Sequence, residues 1–404
     1  MKRVLCINAT GHFAGAEAML VDLVARLDRS RWDPLVLVPF EGELSGELGR
    51  LGVECRVWPL AALRTRRELR SPAAFARLGR QLPSSVTALV GLMQRERVAL
   101  VHTNSSVVLD GALSARLAGL PHVWHVREVL SRPRAAWSVL RWLIVGLSAR
   151  VLCVSQGVAD HFGVMPRAMR RRLDVVHDGV ADPGSLPGWA DARSGAGQPP
   201  VVGMVGRING HKGQEDFLRA AAILRTRHPS ARFVLVGGAL PAYERLADQL
   251  RRLAVELGVS GCVVFMGQQP RGEVRRLLAS FSVFVMPSRV VEGFGLAALE
   301  AMAAGLPVVG TEAGARELVR DGREGLLVPR RDPDALAAAV DSLLTSPMLA
   351  RRLGQEGQRR ALTELTIERH VEKVESIYEQ LLGAVPTPAP HTVELDRIGA
   401  AGSY

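Results

Sequence analysis

The chain has 404 residues, 48% hydrophobic and 23% charged, which is ample material for packed cores in two domains of ordinary size. Its net charge is +11, and residues 1–180 hold 25 Lys and Arg against 15 Asp and Glu, so the excess lies almost wholly in the first half. No run of about 18 apolar residues occurs, which excludes a membrane-spanning helix.

The opening "MKRVLCINATGHF" is too short and too quickly polar for a signal peptide, so a cytoplasmic protein is expected. Cys6, Cys55, Cys153 and Cys262 stand far apart without CxxC or metal-type spacing, as buried thiols of a reducing compartment do. The first strand is "RVLCINAT", an apolar run ending in polar residues, and "GAEAMLVDLVARLD" follows with helical spacing. Then come "DPLVLVPF" as a strand, "GELSGELGRLG" as a helix and "VECRVWPL" as a strand. Further strands lie in "VALVHTNS", "PHVWHVRE", "RVLCVSQ" and "LDVVHDGV". Such alternation implies βαβ units and a mainly parallel sheet.

From residue 181 the chain is rich in Gly, Pro, Ser and Ala without periodicity, and the linker is drawn at 184–200. Alternation restarts with "VVGMVGRI", "RFVLVGGA", "CVVFMGQ", "VFVMPS" and "LPVVGT". The expected architecture is α/β: Rossmann-like parallel-sheet domains at 1–183 and 201–366, facing a central cleft lined by strand C-termini. The amphipathic helix at 367–383 is expected to pack back on the first domain, and the tail 384–404 reads as disordered.

The most informative stretch is "VEGFGLAALEAMAAGLPVVGT", residues 291–311. Glu292 falls in a loop at the cleft mouth and Glu300 about one turn into a glycine-closed helix. Between them "GFG" brings backbone N–H groups to the helix start, where free donors and the helix dipole favour an anion such as phosphate. A carboxylate one turn down the helix accepts two hydrogen bonds from a vicinal diol such as ribose. The simpler alternative is that Glu300 pairs with an arginine and Glu292 is a solvated loop residue. In "VGRINGHKGQEDFLRAA", Gly206 ends a strand, and Arg207 and Lys212 follow in a loop suited to a diphosphate. No GxxxxGK[ST] is present, so this is not a P-loop.

"VGRINGHKGQEDFLRA", "RFVLVGG", the run from "FMGQQPRGEV" to "LPVVGT" and "AGARELVRDGREGLLVPRRDP" together resemble the C-terminal domain of family-4 retaining glycosyltransferases of the GT-B fold. The glutamate pair matches that family's E-x7-E motif. "GHFAGAEAML", "CVSQGVADHF" and "VVHDGV" extend the resemblance over nearly the whole chain. It implies that Arg207 and Lys212 hold the donor diphosphate and that Glu300 takes the ribose hydroxyls. Glu292 would meet the donor sugar, and Gly206 and the backbone of Phe294, Gly295 and Leu296 would also bind donor. Gly15 and Ala16 would border the phosphate from the other domain, and His125 would lie near sugar and acceptor. The chain departs from the family pattern at Ala14-Gly15-Ala16-Glu17, where two glycines are usual. It departs again at Asp178, where asparagine is usual, and in "VGGAL", which lacks the commoner acidic residue.

The reaction so implied moves a sugar from a nucleotide diphosphate to an acceptor hydroxyl with retention. Same-face attack, with the leaving phosphate as base, is favoured over a covalent carboxylate intermediate because no nucleophile stands out. No carboxylate pair suited to a metal is evident either, so no cofactor and no metal are expected. Arginines mixed with apolar residues at 64–83 and 131–150 fit helices lying on an anionic membrane surface, or packed helices with solvated faces. A glycan or lipid-linked acceptor is expected, with the protein peripheral on the inner face of the plasma membrane. Other classes sharing the architecture are sugar-nucleotide epimerases and phosphorylases, the latter needing a pyridoxal lysine and a longer chain. A catalytically idle sugar-nucleotide-binding module is the non-enzyme alternative. Nucleic acid is not an expected partner, since no recognised DNA or RNA module appears.

Overall fold

A computed structural model describes residues 1–61, 68, 71–129, 134–181, 199–240 and 243–383. Most of the expected linker and the tail therefore lie outside the described residues. The first lobe carries strands β1 (Lys2–Asn8), β2 (Trp32–Val38), β3 (Glu54–Val57), β4 (Val98–Asn104), β5 (His122–Val126), β6 (Arg150–Cys153) and β7 (Leu173–Val175). The second carries β8 (Val201–Val205), β9 (Arg232–Val236), β10 (Val263–Gly267), β11 (Val283–Met286), β12 (Val308–Thr311) and β13 (Gly325–Val328). β13 lies in a stretch not expected as a strand; at four residues on a sheet edge it has too short a pattern to announce itself.

Both sheets are parallel throughout, in the orders β3-β2-β1-β4-β5-β6-β7 and β10-β9-β8-β11-β12-β13. Strands such as β1 and β4 are buried over nearly their whole length, because helices cover both faces of each sheet. The strand order reverses between β1 and β4 and again between β8 and β11, and a doubly wound sheet opens its ligand crevice at such a switch point. The loops after β1, β8 and β11 therefore face one another.

One apolar cluster spans both lobes, joining Trp124, Val126 and Phe162 to Phe284, Met286 and Leu299. Each such fully buried side chain contributes about 1.5–3 kcal/mol, so the closed arrangement rests on packing as well as on charge. The helix Ile367–Gly383 lies on the first lobe, inserting Ile367, Val371, Val374 and Tyr378 among Trp32, Met19 and Leu100. The chain crosses between lobes at Val180, whose N–H donates to Leu365 O while Ile367 N–H donates to Val180 O. Gly179 is obligatory there, since a Cβ would sit 2.4 Å from Thr366 O. All four cysteines are free; Cys55 is only half-buried, because β3 is an edge strand.

Candidate active site

The second-lobe wall begins where β8 ends at Gly206. Arg207 next to it is exposed, and its guanidinium has no partner among the described residues. Asn209 Oδ1 accepts from the N–H groups of His211 and Lys212, at 3.0 and 3.1 Å, and this turn aims Lys212 inward. The Lys212 stem then runs across Gly206, where a Cβ would lie 3.6 Å from its Cδ. Gly213 (φ +77°) starts the helix Gln214–Arg227, and its missing side chain leaves room for Pro287 O, 1.9 Å from a built Cβ.

Lys212 Nζ donates to Glu292 Oε2 at 2.9 Å, and Ser288 Oγ donates to Glu292 Oε1 at 2.5 Å. The glutamate is thus held over the lysine by its own loop. Gly295 (φ +100°) caps the helix Leu296–Ala303, leaving first-turn N–H groups without intrahelical partners. Glu300, one turn on, is 6% exposed and accepts from Arg271 Nε at 3.4 Å. The anticipated arginine partner thus exists. It leaves the Glu300 carboxylate at the cleft rather than removing it, because Arg271 NH2 also reaches Asp22 of the first lobe at 2.8 Å. Burial works against the Arg271 charge, yet Asp22 and Glu300 outweigh it and raise its pKa.

The first-lobe wall starts at the helix Gly15–Arg26. Gly15 faces Leu296, 3.7 Å from a built Cβ, so two helix N-termini point into one gap. Half-buried Ala16 offers its carbonyl to Asn104 Nδ2. A chain of side chains then runs along the strand ends: Asn8 Nδ2 donates to Glu17, Asn104 Nδ2 to Asn8 Oδ1, and Arg127 Nε to Asn104 Oδ1. Arg127 NH1 also pairs with Asp178, both under a tenth exposed. The departure at Asp178 is therefore charge-matched within the lobe.

His125 does not line the cleft. It is fully buried on β5, with His102 at 5.3 Å on one side and His370 stacked at 5.7 Å. The strand pleat puts it one step below the rim, and Arg127, two residues on and on the same face, covers it. The rim positions are Arg127 and the half-buried Glu128, neither of which was singled out in the sequence. Glu128 Oε1 accepts from Ser106 N–H at 3.2 Å, and burial raises its pKa, with Glu17 adding to the effect. Across the gap, Gly293 touches the rim: a Cβ there would lie 2.0 Å from Arg127 O. Phe294 stacks on His177 at 5.4 Å, and Glu317 accepts from His177 Nε2 and Gln156 N–H, at 2.9 and 2.8 Å. The lobes are closed on each other.

With the exception of His125, the structure brings the expected residues to one cleft: Gly206, Arg207, Lys212, Glu292, Phe294, Gly295, Leu296 and Glu300 from one side, Gly15 and Ala16 from the other. Sequence reasoning missed Asp22, Arg271, Arg127 and Glu128. A signal existed for one pair, since a carboxylate at 178 asks for a nearby cation. Among the described residues no group of three His, Cys, Asp or Glu is placed to hold a metal. No described helix is long and apolar enough to cross a membrane.

Two family models match in tandem: Glycosyltransferase Family 4 over residues 13–183 and Glycosyl transferases group 1 over 190–360. The chain is a family-4 glycosyltransferase with the GT-B fold. This glycosyltransferase is 28% identical over 335 residues to a lipopolysaccharide core biosynthesis mannosyltransferase of Rhizobium leguminosarum, covering 78% of the present chain and 90% of that one. It is 41% identical over 177 residues to a GDP-mannose-dependent alpha-(1-6)-phosphatidylinositol monomannoside mannosyltransferase of Mycolicibacterium smegmatis. That match covers 42% of the chain and 45% of the mycobacterial enzyme, so the glycosyltransferase spans about half the length of this relative. In structure it resembles Anabaena HepE, solved with UDP and glucose, with a TM-score of 0.77 at 22% identity over 94% of this chain and 100% of that one. It also resembles sucrose-phosphate synthase from Thermosynechococcus elongatus, with a TM-score of 0.72 at 23% identity over 95% and 100%. At such identities the likeness concerns the fold.

Proposed function

We propose that the enzyme transfers a sugar from a nucleoside diphosphate to a hydroxyl of a cell-envelope glycan or glycolipid, with retention and without a metal. One observation carries this reading: Lys212, Glu292, two facing helix N-termini and Glu300 meet in a single closed cleft. A diphosphate fits between the helix starts, with Lys212 and the exposed Arg207 as its cations. Glu300 accepts the ribose diol, and Glu292 meets the sugar. A cavity of about 340 Å³ at the ends of β8–β10, lined by Ile208, Gly238, Phe265 and Gly267, has room for the base.

Catalysis then rests on stabilising the departing diphosphate. Lys212, Arg207 and helix N–H groups meet its developing charge in a cleft from which closure excludes water. This supplies what a metal would otherwise supply. The acceptor enters on the leaving group's face, which keeps the anomeric configuration. Envelope acceptors are supported by the names of the Rhizobium and Mycolicibacterium relatives. On the first lobe, the helix Arg134–Leu147 exposes Val139, Trp142 and Leu143 on one face, with Arg141 over the Trp142 ring at 5.2 Å. That face suits an anionic membrane. The companion segment 64–83 falls partly outside the described residues.

The test is thermal shift with UDP-, GDP- and ADP-sugars. Glu300→Ala and Lys212→Ala should each weaken the shift given by the preferred donor, and Lys212→Ala should also slow turnover about 100-fold. An unchanged shift in both variants would refute the site. Donor bound by wild type but never consumed, with water or any acceptor, would make it an idle module instead. Flotation with anionic liposomes at low and high salt checks the membrane face; absence of binding at both overturns it.

A further inference from the structure

Asp22 and Arg271 extend Glu300 into a bridge between the lobes, and neither of the two has a part in the proposed chemistry. Arg271 NH2 reaches Asp22 at 2.8 Å and its Nε reaches Glu300 at 3.4 Å, with side-chain exposures of 13%, 21% and 7% for Asp22, Arg271 and Glu300. Shielded from solvent, such pairs are screened far less than surface ones. Burial would raise the Asp22 pKa, but Arg271 and then Arg26 overcome it and hold the carboxylate below its ordinary range. Arg275, one turn beyond Arg271, has a buried Nε without a partner, and burial followed by the Arg271 charge disfavours its own ionisation. Three guanidinium groups (Arg26, Arg271 and Arg275) therefore surround two carboxylates. The other interlobe pair among the described residues, His177–Glu317, involves no carboxylate assigned to the nucleotide.

We propose that Arg271 is a positioning residue that ties the nucleotide-binding carboxylate of Glu300 to Asp22 on the opposite lobe, making donor affinity and lobe closure one linked equilibrium. This rests on the nucleotide-sugar reading of Glu300. Arg271 Nε holds the Glu300 carboxylate in place at a buried position, 3.4 Å away, where the carboxylate accepts both hydroxyls of a ribose. Asp22 keeps Arg271 there, and does so only while the lobes are closed. Linkage makes the effect reciprocal: whatever factor closure adds to nucleotide affinity, bound nucleotide adds to closure.

The experiment is calorimetric titration of UDP, GDP and ADP into wild type and into Asp22→Asn, Arg271→Ala, Arg271→Lys and Asp22→Asn/Arg271→Ala variants. The preferred nucleotide should bind Asp22→Asn about tenfold more weakly, although residue 22 lies on the lobe that does not hold the nucleoside. Arg271→Ala should lose at least as much, and the double variant no more than Arg271→Ala alone. Arg271→Lys, which keeps the charge, should recover part of the affinity. Wild-type affinity in Asp22→Asn, or independent addition of the two effects, overturns the proposal while leaving the donor site standing. The isosteric Asp22→Asn keeps the test decisive should Arg271→Ala fail to fold. Wild type binding none of the three nucleotides overturns both readings.

Discussion

Arg127 and Asp178 are a buried ion pair at the rim of the first lobe, linking the end of β5 to the segment after β7. Arg127 also donates to Asn104, so its guanidinium is fixed from two sides. Breaking such a pair from one side strands a charge in a poorly solvated place. Asp178→Asn should therefore destabilise the protein by about 3 kcal/mol, and adding Arg127→Gln should recover most of it. Urea denaturation of both variants checks this, and equal stability of Asp178→Asn and wild type would contradict it.

Gly293 is where closure is most sensitive to size. A methyl group there would collide with the Arg127 carbonyl, a backbone atom in the residue that directly follows β5. Gly293→Ala should hold the lobes apart and lower turnover at least 100-fold, as small misplacements of reacting groups do. Small-angle scattering should show a larger radius of gyration than wild type in the presence of nucleotide. Identical scattering and activity would exclude this closed form as the reacting one.

Glu128 should trade stability for its position at the cleft. Burial raises its carboxyl pKa, against the bonds from Ser106. The folded state therefore binds that proton more tightly than the unfolded chain. Its stability contribution is intact below the ordinary glutamate range and is lost as pH rises through the raised value. Glu128→Gln should melt about 2 °C higher than wild type at pH 7.5, with the gap closing near pH 4. A lower melting point at pH 7.5 would contradict the placement.

The buried histidines predict an acid limit. Burial holds His102 and His122 down at about 3, and His125 and His370 are lowered by the same cause. These groups stay neutral when folded but take up protons once unfolded. Their stabilisation is full above the ordinary histidine value of 6.5 and is lost as pH falls from there towards 3. His122 is the cleanest probe, because Thr103 Oγ1 and Ser148 Oγ occupy its two ring nitrogens at 2.8 and 3.0 Å. His122→Asn should be less stable at pH 8 yet lose less stability between pH 7 and pH 5. Parallel pH profiles for variant and wild type would contradict this.

Much of the second-lobe wall of the cleft was legible in the chain because its parts are local. Strand, glycine-bearing loop and helix start are contiguous around Gly206–Lys212 and around Glu292–Glu300, and backbone geometry alone turns those spacings into positions at strand ends. His125 shows the limit of such reading. A strand places alternate residues on alternate faces, but how far along it the cleft begins depends on where the neighbouring strands stop and what packs over them. Here His102 and His370, 23 and 245 residues away in sequence, enclose the ring, and Arg127 becomes the rim residue.

The sequence by itself determined two parallel-sheet lobes and the residue types gathered where strand, glycine-bearing loop and helix start meet, because hydrophobic period and turn chemistry act over a few residues. Only the tertiary structure decided which charges meet: Asp22 with Arg271, Arg271 with Glu300, and Arg127 with Asp178. Those pairings join segments up to 249 residues apart in the chain. Electrostatic energy depends on distance and burial in space, which one-dimensional spacing does not carry.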